Sequence, residues 1–253
     1  MSTADQSPSS PLLLLRADAS RTIGMGHVMR GLGLAQQWEE MGGCASLLMA
    51  KPNKPVEDRL RDEGIETHIL DVEPASSSDA DATATTAKDM GARWIVADGY
   101  DFNADWLARV GKSRIPLVLW TDYVQASRLP VTLILNQNPH ACRSDYAEAA
   151  AGVTLLLGLR YAVLRREFRK CARSLRRKRS HGVRRILVTL GGSDPTNTTR
   201  TVLQALAIMG ESAPSATVVV GANNPRLEEL SEIAGTIPSV KIVHAVKHMP
   251  SLI

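Results

Sequence analysis

The sequence predicts an α/β protein made of two Rossmann-like domains, the second one incomplete. Three observations lead there. Short apolar runs alternate with amphipathic stretches along most of the chain; the runs are continuous rather than alternating, as in strands covered on both faces; and a charged stretch interrupts the rhythm before it restarts.

Taken in order, the residues up to Pro11 are rich in Ser, Pro and Asp and lack apolar periodicity, so residues 1–11 read as a disordered tail. Strands are expected at 12–15, 45–49, 67–70, 94–97, 117–120, 131–135 and 154–157. Between the first two, Val28, Leu32, Ala35 and Trp38 recur at helical spacing and Gly42-Gly43 supplies a stop, which makes one βαβ unit. Residues 12–157 thus form the first domain. Residues 158–183 form a basic connector, and the strand pattern resumes at 186–190, 217–220 and 240–243, so residues 184–253 form the second domain. A doubly wound domain usually carries about five or six strands. The chain stops as another helix should begin at Met249-Pro250-Ser251-Leu252, so a truncated second domain is expected.

Composition narrows the functional classes. With 44% apolar residues over 253 positions, the chain can bury a substantial core. The aliphatic run at 12–15 is cut off by Arg16 and Asp18, too short for a secretory core or a membrane span, so no membrane insertion is expected. Cys44, Cys142 and Cys171 lie far apart and form no Cys-x-x-Cys pair, which argues against a disulfide framework or zinc ribbon and fits a reducing cytoplasm. The net charge of +4 is concentrated between Arg165 and Arg185, including Arg176-Arg177-Lys178-Arg179. That stretch reads either as an anion-attracting surface or as a solvated helix face with a linker. Nucleic acid is not the expected partner, because only 4% of the residues are aromatic and stacking groups beside the charge are lacking.

Ligands of parallel sheets collect where strand ends meet helix N-termini. After the first strand, Gly24 and Gly26 allow positive φ and close backbone approach, and His27 falls in the first turn of the following helix, where its imidazole is expected to face the interdomain cleft. Histidine suits general-base work because its ordinary pKa lies near 6.5; a capping or packing role is the alternative. Met29 occupies the place where a dinucleotide fingerprint would carry its third glycine, which disfavours NAD. The loop Gly191-Gly192-Ser193-Asp194-Pro195 can offer backbone N–H groups to a diphosphate, or can be a tight turn capped by Ser193 or Asp194. It lacks the Gly-Lys-Ser/Thr ending of an ATP-binding loop. Asp98, Tyr100, Asp122, Asn136 and Asn138 are the other polar strand-end groups, placed either to hold a sugar or to make turns. His244 and His248 have i, i+4 spacing but sit where a strand runs into a loop, and no acidic ligand falls between them, so no metal site is expected.

The ordered motifs Arg16-Ala-Asp-Ala-Ser, Ile23-Gly-Met-Gly-His27-Val-Met-Arg30, Asp98-Gly-Tyr100, Leu135-Asn-Gln-Asn138, Gly158-Leu-Arg-Tyr161 through Phe168 and Leu190-Gly-Gly-Ser-Asp194 together resemble the UDP-2,4-diacetamido-2,4,6-trideoxy-β-L-altropyranose hydrolases of pseudaminic acid biosynthesis. That family is similar in architecture to inverting GT-B glycosyltransferases such as the lipid II-forming enzyme MurG. The resemblance implies a GT-B-like arrangement of the two domains and a UDP-activated deoxy amino sugar as substrate, with His27 deprotonating a water that attacks the anomeric carbon. The C1–O bond then breaks with inversion and UDP departs, without a metal or redox cofactor. It further implies that Tyr100 contacts the sugar, that Arg30 holds the loop or a nearby oxygen, that Gly191, Gly192 and Ser193 approach the diphosphate, and that Arg165 or Arg176 binds phosphate. Family members continue into a further strand and a loop with a UDP-holding glutamate, which this chain does not reach, so weak nucleotide affinity is expected of the 253 residues. A cytoplasmic monomer is expected; the alternatives are a glycosyltransferase with an acceptor alcohol, and an inactive nucleotide-sugar-binding fragment.

Overall fold

The computed structural model describes residues 10–20, 23–123, 128–146, 152–172, 182–221, 224–244, 246 and 248–253. Its described residues fall into two compact units: one drawn from Met1–Ala19 and His27–Arg165, the other from Ser20–Gly26 and Arg166–Ile253. Arg176 and the basic run around it lie outside the described residues.

The first unit is a parallel sheet of seven strands, β1 (Leu12–Ala17), β2 (Cys44–Met49), β3 (Glu66–Ile69), β4 (Ala92–Asp98), β5 (Leu117–Trp120), β6 (Leu133–Asn136) and β7 (Thr154–Leu157), in the order β3-β2-β1-β4-β5-β6-β7. Four helices connect them: α1 (Gly26–Glu40), α2 (Lys54–Asp62), α3 (Ser77–Asp89) and α4 (Ala104–Gly111). The chain winds outward from β1 to β3, returns through α3 to β4 on the other side of β1, and then winds the opposite way. Between β1 and β4 the strand order reverses, the place where ligand sites form in sheets wound this way. Their register sets Ala17 beside Asp98.

Local chemistry explains the helix starts. Asn53, Ser76 and Asn103 are N-caps whose side chains accept from Val56, Asp79 and Trp106 amides. On α1, Val28, Leu32 and Ala35 are buried as their spacing predicts, while Trp38 lies over Gly43, where a Cβ would collide with its indole. The Trp38 indole N–H donates to the Pro11 carbonyl at 2.8 Å, and the Cys44 amide donates to the same oxygen, so Pro11 is tied to the sheet rather than belonging to a free tail. Strand β6 begins two residues later than the apolar pattern at 131–135 because Thr132 turns to the edge of β5: its hydroxyl accepts from the Leu117 amide and its own amide donates to the Leu117 carbonyl.

One side of the sheet packs Leu14, Leu48, Ile95, Leu119 and Ile134 against Phe102, Trp106 and Leu107. Into this interior the fold inserts an ion pair that the sequence pattern did not reveal. Arg16 at the end of β1 and Asp79 in the first turn of α3 are both fully buried, joined by Nε to Oδ1 at 2.9 Å and Nη2 to Oδ2 at 2.7 Å. Asp18 adds a contact to Nη2 at 2.7 Å, and the guanidinium lies over the Phe102 ring. Asp79 also accepts from the Ala75 amide and the Thr83 hydroxyl.

The second unit contains a three-stranded parallel sheet ordered β10-β9-β8, from β8 (Arg185–Thr189), β9 (Ser215–Val220) and β10 (Val240–His244). With it come α5 (Arg166–Ala172), α6 (Thr198–Met209) and α7 (Leu227–Gly235), and a core of Leu203, Leu206, Val218, Val220 and Leu230. The predicted terminal helix start is a short 3-10 turn, Met249–Leu252. No described helix is long and apolar enough to cross a membrane.

Candidate active site

Residues from four separate loops meet at the carboxyl ends of β1, β4, β5 and β6. His27 stands in the first turn of α1 and Asp98 is the last residue of β4; strand register brings them together, with Nδ1 of His27 2.6 Å from Oδ1 of Asp98. Both are nearly inaccessible, at 4% and 2% exposure. One turn along α1, Arg30 donates from Nε and Nη2 to both oxygens of Asp98, each at 2.6 Å. Its Nη1 donates to both oxygens of Asp122, two residues beyond β5, at 2.9 Å. The guanidinium lies over the buried Trp120 ring, 5.1 Å from its centre.

This geometry fixes the histidine tautomer. An ionised carboxylate only accepts, so the proton in the His27–Asp98 bond sits on Nδ1. Arg30 Nη2 is 3.2 Å from the same nitrogen but can only donate, and an Nδ1 that carries its own proton has no lone pair to accept a second one, so the charge-assisted bond of Nη2 is the one to Asp98. Nε2 therefore carries the lone pair. With neutral His27, two carboxylates and one guanidinium give the cluster a charge of −1, and a proton taken up at Nε2 makes it neutral.

Electrostatics follow the contacts. Burial alone would raise the Asp122 carboxyl, but hydrogen bonds and charge from Arg30, with Asn138 and His27, outweigh it and hold the group below the usual carboxylate range. Burial likewise works against the Arg30 cation, yet Asp98 and Asp122 leave its pKa raised.

The remaining predicted groups divide by role. Asn138 donates from Nδ2 to Asp122 at 2.8 Å and, from both Nδ2 and its backbone amide, to Asn136 Oδ1. Asn136, at the end of β6, donates to the hydroxyl of buried Tyr146 at 2.8 Å. Arg30, Asp98, Asn136 and Asn138 thus spend polar atoms on one another. Tyr100 instead stays 55% exposed, its ring edge-on to His27 with centres 4.4 Å apart. Arg165 lies farther along, with Nη1 3.6 Å from the Met29 sulfur. Gly24 has φ of +77°, which requires glycine, whereas a Cβ on Gly26 would meet open space.

In the second unit, Gly191 has φ of +81° and starts the turn after β8. The capping alternative for this loop is realised by Asp194, whose oxygens accept from the Thr198 and Thr199 amides at 2.9 Å. Burial would raise this carboxyl, but the Thr199 and Thr198 hydrogen bonds and Arg226 hold it low. The first amides of α6 are therefore occupied, and Gly191, Gly192 and the buried Ser193 are what the loop has left for a ligand. Gly221, the residue after β9, packs directly on Gly191 and Gly192.

Sequence reasoning treated Asp122 as a strand-end polar group and missed Tyr123 and Tyr146. A signal existed for Tyr123 in its adjacency to Asp122. None existed for Tyr146, which reaches Asn136 from a 3-10 turn, Arg143–Tyr146. Among the described residues no cluster of three or more His, Cys, Asp or Glu is disposed to hold a metal ion.

No family model matches the sequence. Two curated proteins are similar to it. An uncharacterized protein of Methanocaldococcus jannaschii is 23% identical over 192 residues, 75% of this chain but 38% of that protein's length. The UDP-2,4-diacetamido-2,4,6-trideoxy-β-L-altropyranose hydrolase of Campylobacter jejuni is 23% identical over 224 residues, 88% of this chain and 74% of the hydrolase. Among solved structures, HepE of Anabaena in complex with UDP-glucose aligns with a TM-score of 0.58 at 15% identity, covering 95% of this chain and 71% of HepE. MurG of Acinetobacter baumannii aligns at 0.56 and 12% identity, covering 96% and 70%. The fold is thus α/β of the GT-B type.

Proposed function

We propose that the chain hydrolyses a UDP-activated 2,4-diacetamido-2,4,6-trideoxy sugar, with His27 as the base. The observation that carries this reading is the His27–Asp98 pair at the point where the strand order reverses, with Nδ1 tied to a carboxylate and Nε2 left as the proton acceptor. The likeness to the Campylobacter hydrolase over most of this chain supports the substrate class, and the fold shared with HepE, solved with UDP-glucose, supports a nucleotide sugar.

On this reading Nε2 removes a proton from water as the water oxygen bonds to C1. The C1–O bond breaks, its electron pair stays on the β-phosphate oxygen, and free sugar and UDP leave; the proton on Nε2 passes to solvent. Asp98 stabilises the imidazolium by its charge and keeps the ring oriented. Arg30 positions Asp98, with Asp122 as its counter-charge, Asn138 donating to that carboxylate and Asn136 holding Asn138 in place. Tyr100 contacts the sugar, and Gly191, Gly192 and Ser193 are the candidates for the diphosphate, with Arg165 or Arg176 as a phosphate partner.

The test is incubation with the UDP-linked diacetamido sugar in ¹⁸O-water with no acceptor, followed by phosphorus NMR and mass spectrometry. Free sugar carrying the label and unlabelled UDP are expected. Failure to release UDP overturns the reading, and release that requires an added alcohol makes the protein a transferase using the same base.

A further inference from the structure

We infer that Tyr123, paired with Tyr100, is a specificity-determining residue: together they form a stacking face for the apolar side of a sugar ring and favour a 6-deoxy pyranose over its 6-hydroxymethyl counterpart. The inference rests on the reading above, whose substrate is already a 6-deoxy sugar, and adds to it the residue that selects for that methyl group.

Aromatic side chains make up only 4% of this chain, yet two of its four tyrosines stand together beside the candidate base. Tyr123 is 63% exposed and Tyr100 55% exposed. Their ring centres are 5.5 Å apart with the planes tilted by 57°, so the rings make an open notch, and Tyr100 meets the His27 imidazole edge-on. Exposed rings of this size forgo the burial that usually stabilises aromatics. Shielding of the ionic cluster does not account for them, because Trp120 already covers Arg30 from the interior.

The backbone of Tyr123 is held firmly although its ring is exposed. The Thr121 hydroxyl accepts from the Tyr123 amide at 3.1 Å and donates to the Tyr123 carbonyl at 2.9 Å. The Thr121 amide in turn donates to Leu135, and the intervening Asp122 is clamped by Arg30. With the Tyr123 backbone held and its ring against Tyr100, which in turn meets His27, the two rings present an aromatic surface beside the base.

The chemistry of that ligand follows from its surroundings. Arg30, Asp98, Asp122 and Asn138 direct their polar groups to one another, so what this side of the site offers is mainly ring face. Ring faces favour C–H groups, and a methyl at C6 extends the apolar side of a pyranose, whereas a hydroxymethyl places there a hydroxyl that must be desolvated. Apolar surfaces discriminate against one added hydroxyl by up to about 10²-fold; for a notch this open to solvent, roughly 10-fold is expected.

The experiment compares kcat/KM for UDP-N-acetylglucosamine and its 6-deoxy analogue in the full chain and in Tyr123→Ser and Tyr123→Phe. The unaltered protein should favour the deoxy substrate about 10-fold, the serine variant should lose that preference mainly through KM, and the phenylalanine variant should keep it. A serine variant with undiminished preference overturns the inference. Saturation-transfer NMR with the methyl glycosides of the two sugars, and with uridine, needs no turnover: saturation at the C6 methyl and ring C–H protons that drops in Tyr123→Ser supports the stacking face even if no UDP-sugar is hydrolysed, the result that would sink the hydrolase reading alone. Tyr123-dependent saturation of uridine instead of the sugars, or no Tyr123-dependent saturation at all, overturns it.

Discussion

His27 and Asp98 lie 71 positions apart in the chain and 2.6 Å apart in the fold. Strand pairing makes the connection: Asp98 ends β4 beside Ala17 at the end of β1, and the chain leaving β1 returns as the first turn of α1. Asp98→Asn keeps the shape of that partner while removing its charge and its exclusive demand for a proton on Nδ1. We expect kcat for UDP-sugar hydrolysis to fall by roughly 10²–10⁴-fold, the scale of a general base, with KM little changed. Steady-state kinetics beside a urea unfolding curve checks this; an unaltered kcat in a folded variant would remove Asp98 from the mechanism.

Arg16 and Asp79 are an internal pair, and removing one member should do more harm than removing both. Asp79→Ala leaves a buried guanidinium with only Asp18 beside it, and about 3 kcal/mol of stability should be lost. Arg16→Met together with Asp79→Leu replaces charge by apolar volume and should recover much of that loss. Denaturant midpoints of the three proteins decide it: a double variant as unstable as Asp79→Ala would mean that geometry rather than charge is what the pair supplies.

Acid should weaken the first unit through Asp122. Its carboxyl is held below the usual range, mainly by Arg30 overcoming the effect of burial, so the unfolded chain binds this proton at higher pH than the folded chain does. The corresponding stability is complete above the ordinary aspartate value near 3.9 and declines as pH falls below it through the lower folded value. Thermal unfolding followed from pH 6 to pH 2 should show a shallower acid limb in Asp122→Asn than in the unaltered chain. Superimposable limbs would show that the Arg30 contact carries no such linkage.

What could be read from the sequence was local. Each apolar run coincides with a strand to within about two residues, because parallel strands covered on both faces leave a continuous aliphatic signature. His27 and Gly24 were legible for the same reason, as a loop chemistry next to a helix start. Pairings across the sheet were not. Asp79 falls at a first-turn position of α3 where an acid usually faces solvent and helps the helix dipole, and nothing nearby in sequence announces Arg16 as its partner. Asp98 and Asn138 read from the sequence only as polar strand-end groups, and it is the topology that gives them Arg30 and Asp122 as partners. The rule for ligand sites at strand ends points to the carboxyl end of the sheet, and only the order β2-β1-β4 shows which two loops converge there.

In the second unit the approach of Gly221 to the Gly191 turn makes a steric prediction. A Cβ on Gly221 would stand 2.6 Å from the Gly191 carbonyl oxygen and 2.5 Å from the Gly192 Cα, backbone atoms that cannot swing aside as a side chain would. Gly221→Ala must therefore move the loop proposed for the diphosphate or loosen β9 against β8, at a cost of about 1–3 kcal/mol. Gly235, at the end of α7, is the control: a Cβ there meets no atom within 4 Å and its φ is not positive. Gly235→Ala should be neutral or stabilising by up to about 1 kcal/mol, since alanine gives up less backbone freedom in a helix. Hydrogen exchange of the β8 and β9 amides, read beside UDP affinity by calorimetry, separates the two consequences of Gly221→Ala. Faster exchange with weaker UDP binding is the expected pair; native exchange with native affinity would show that the turn after β8 can yield without loss and is not held by this contact.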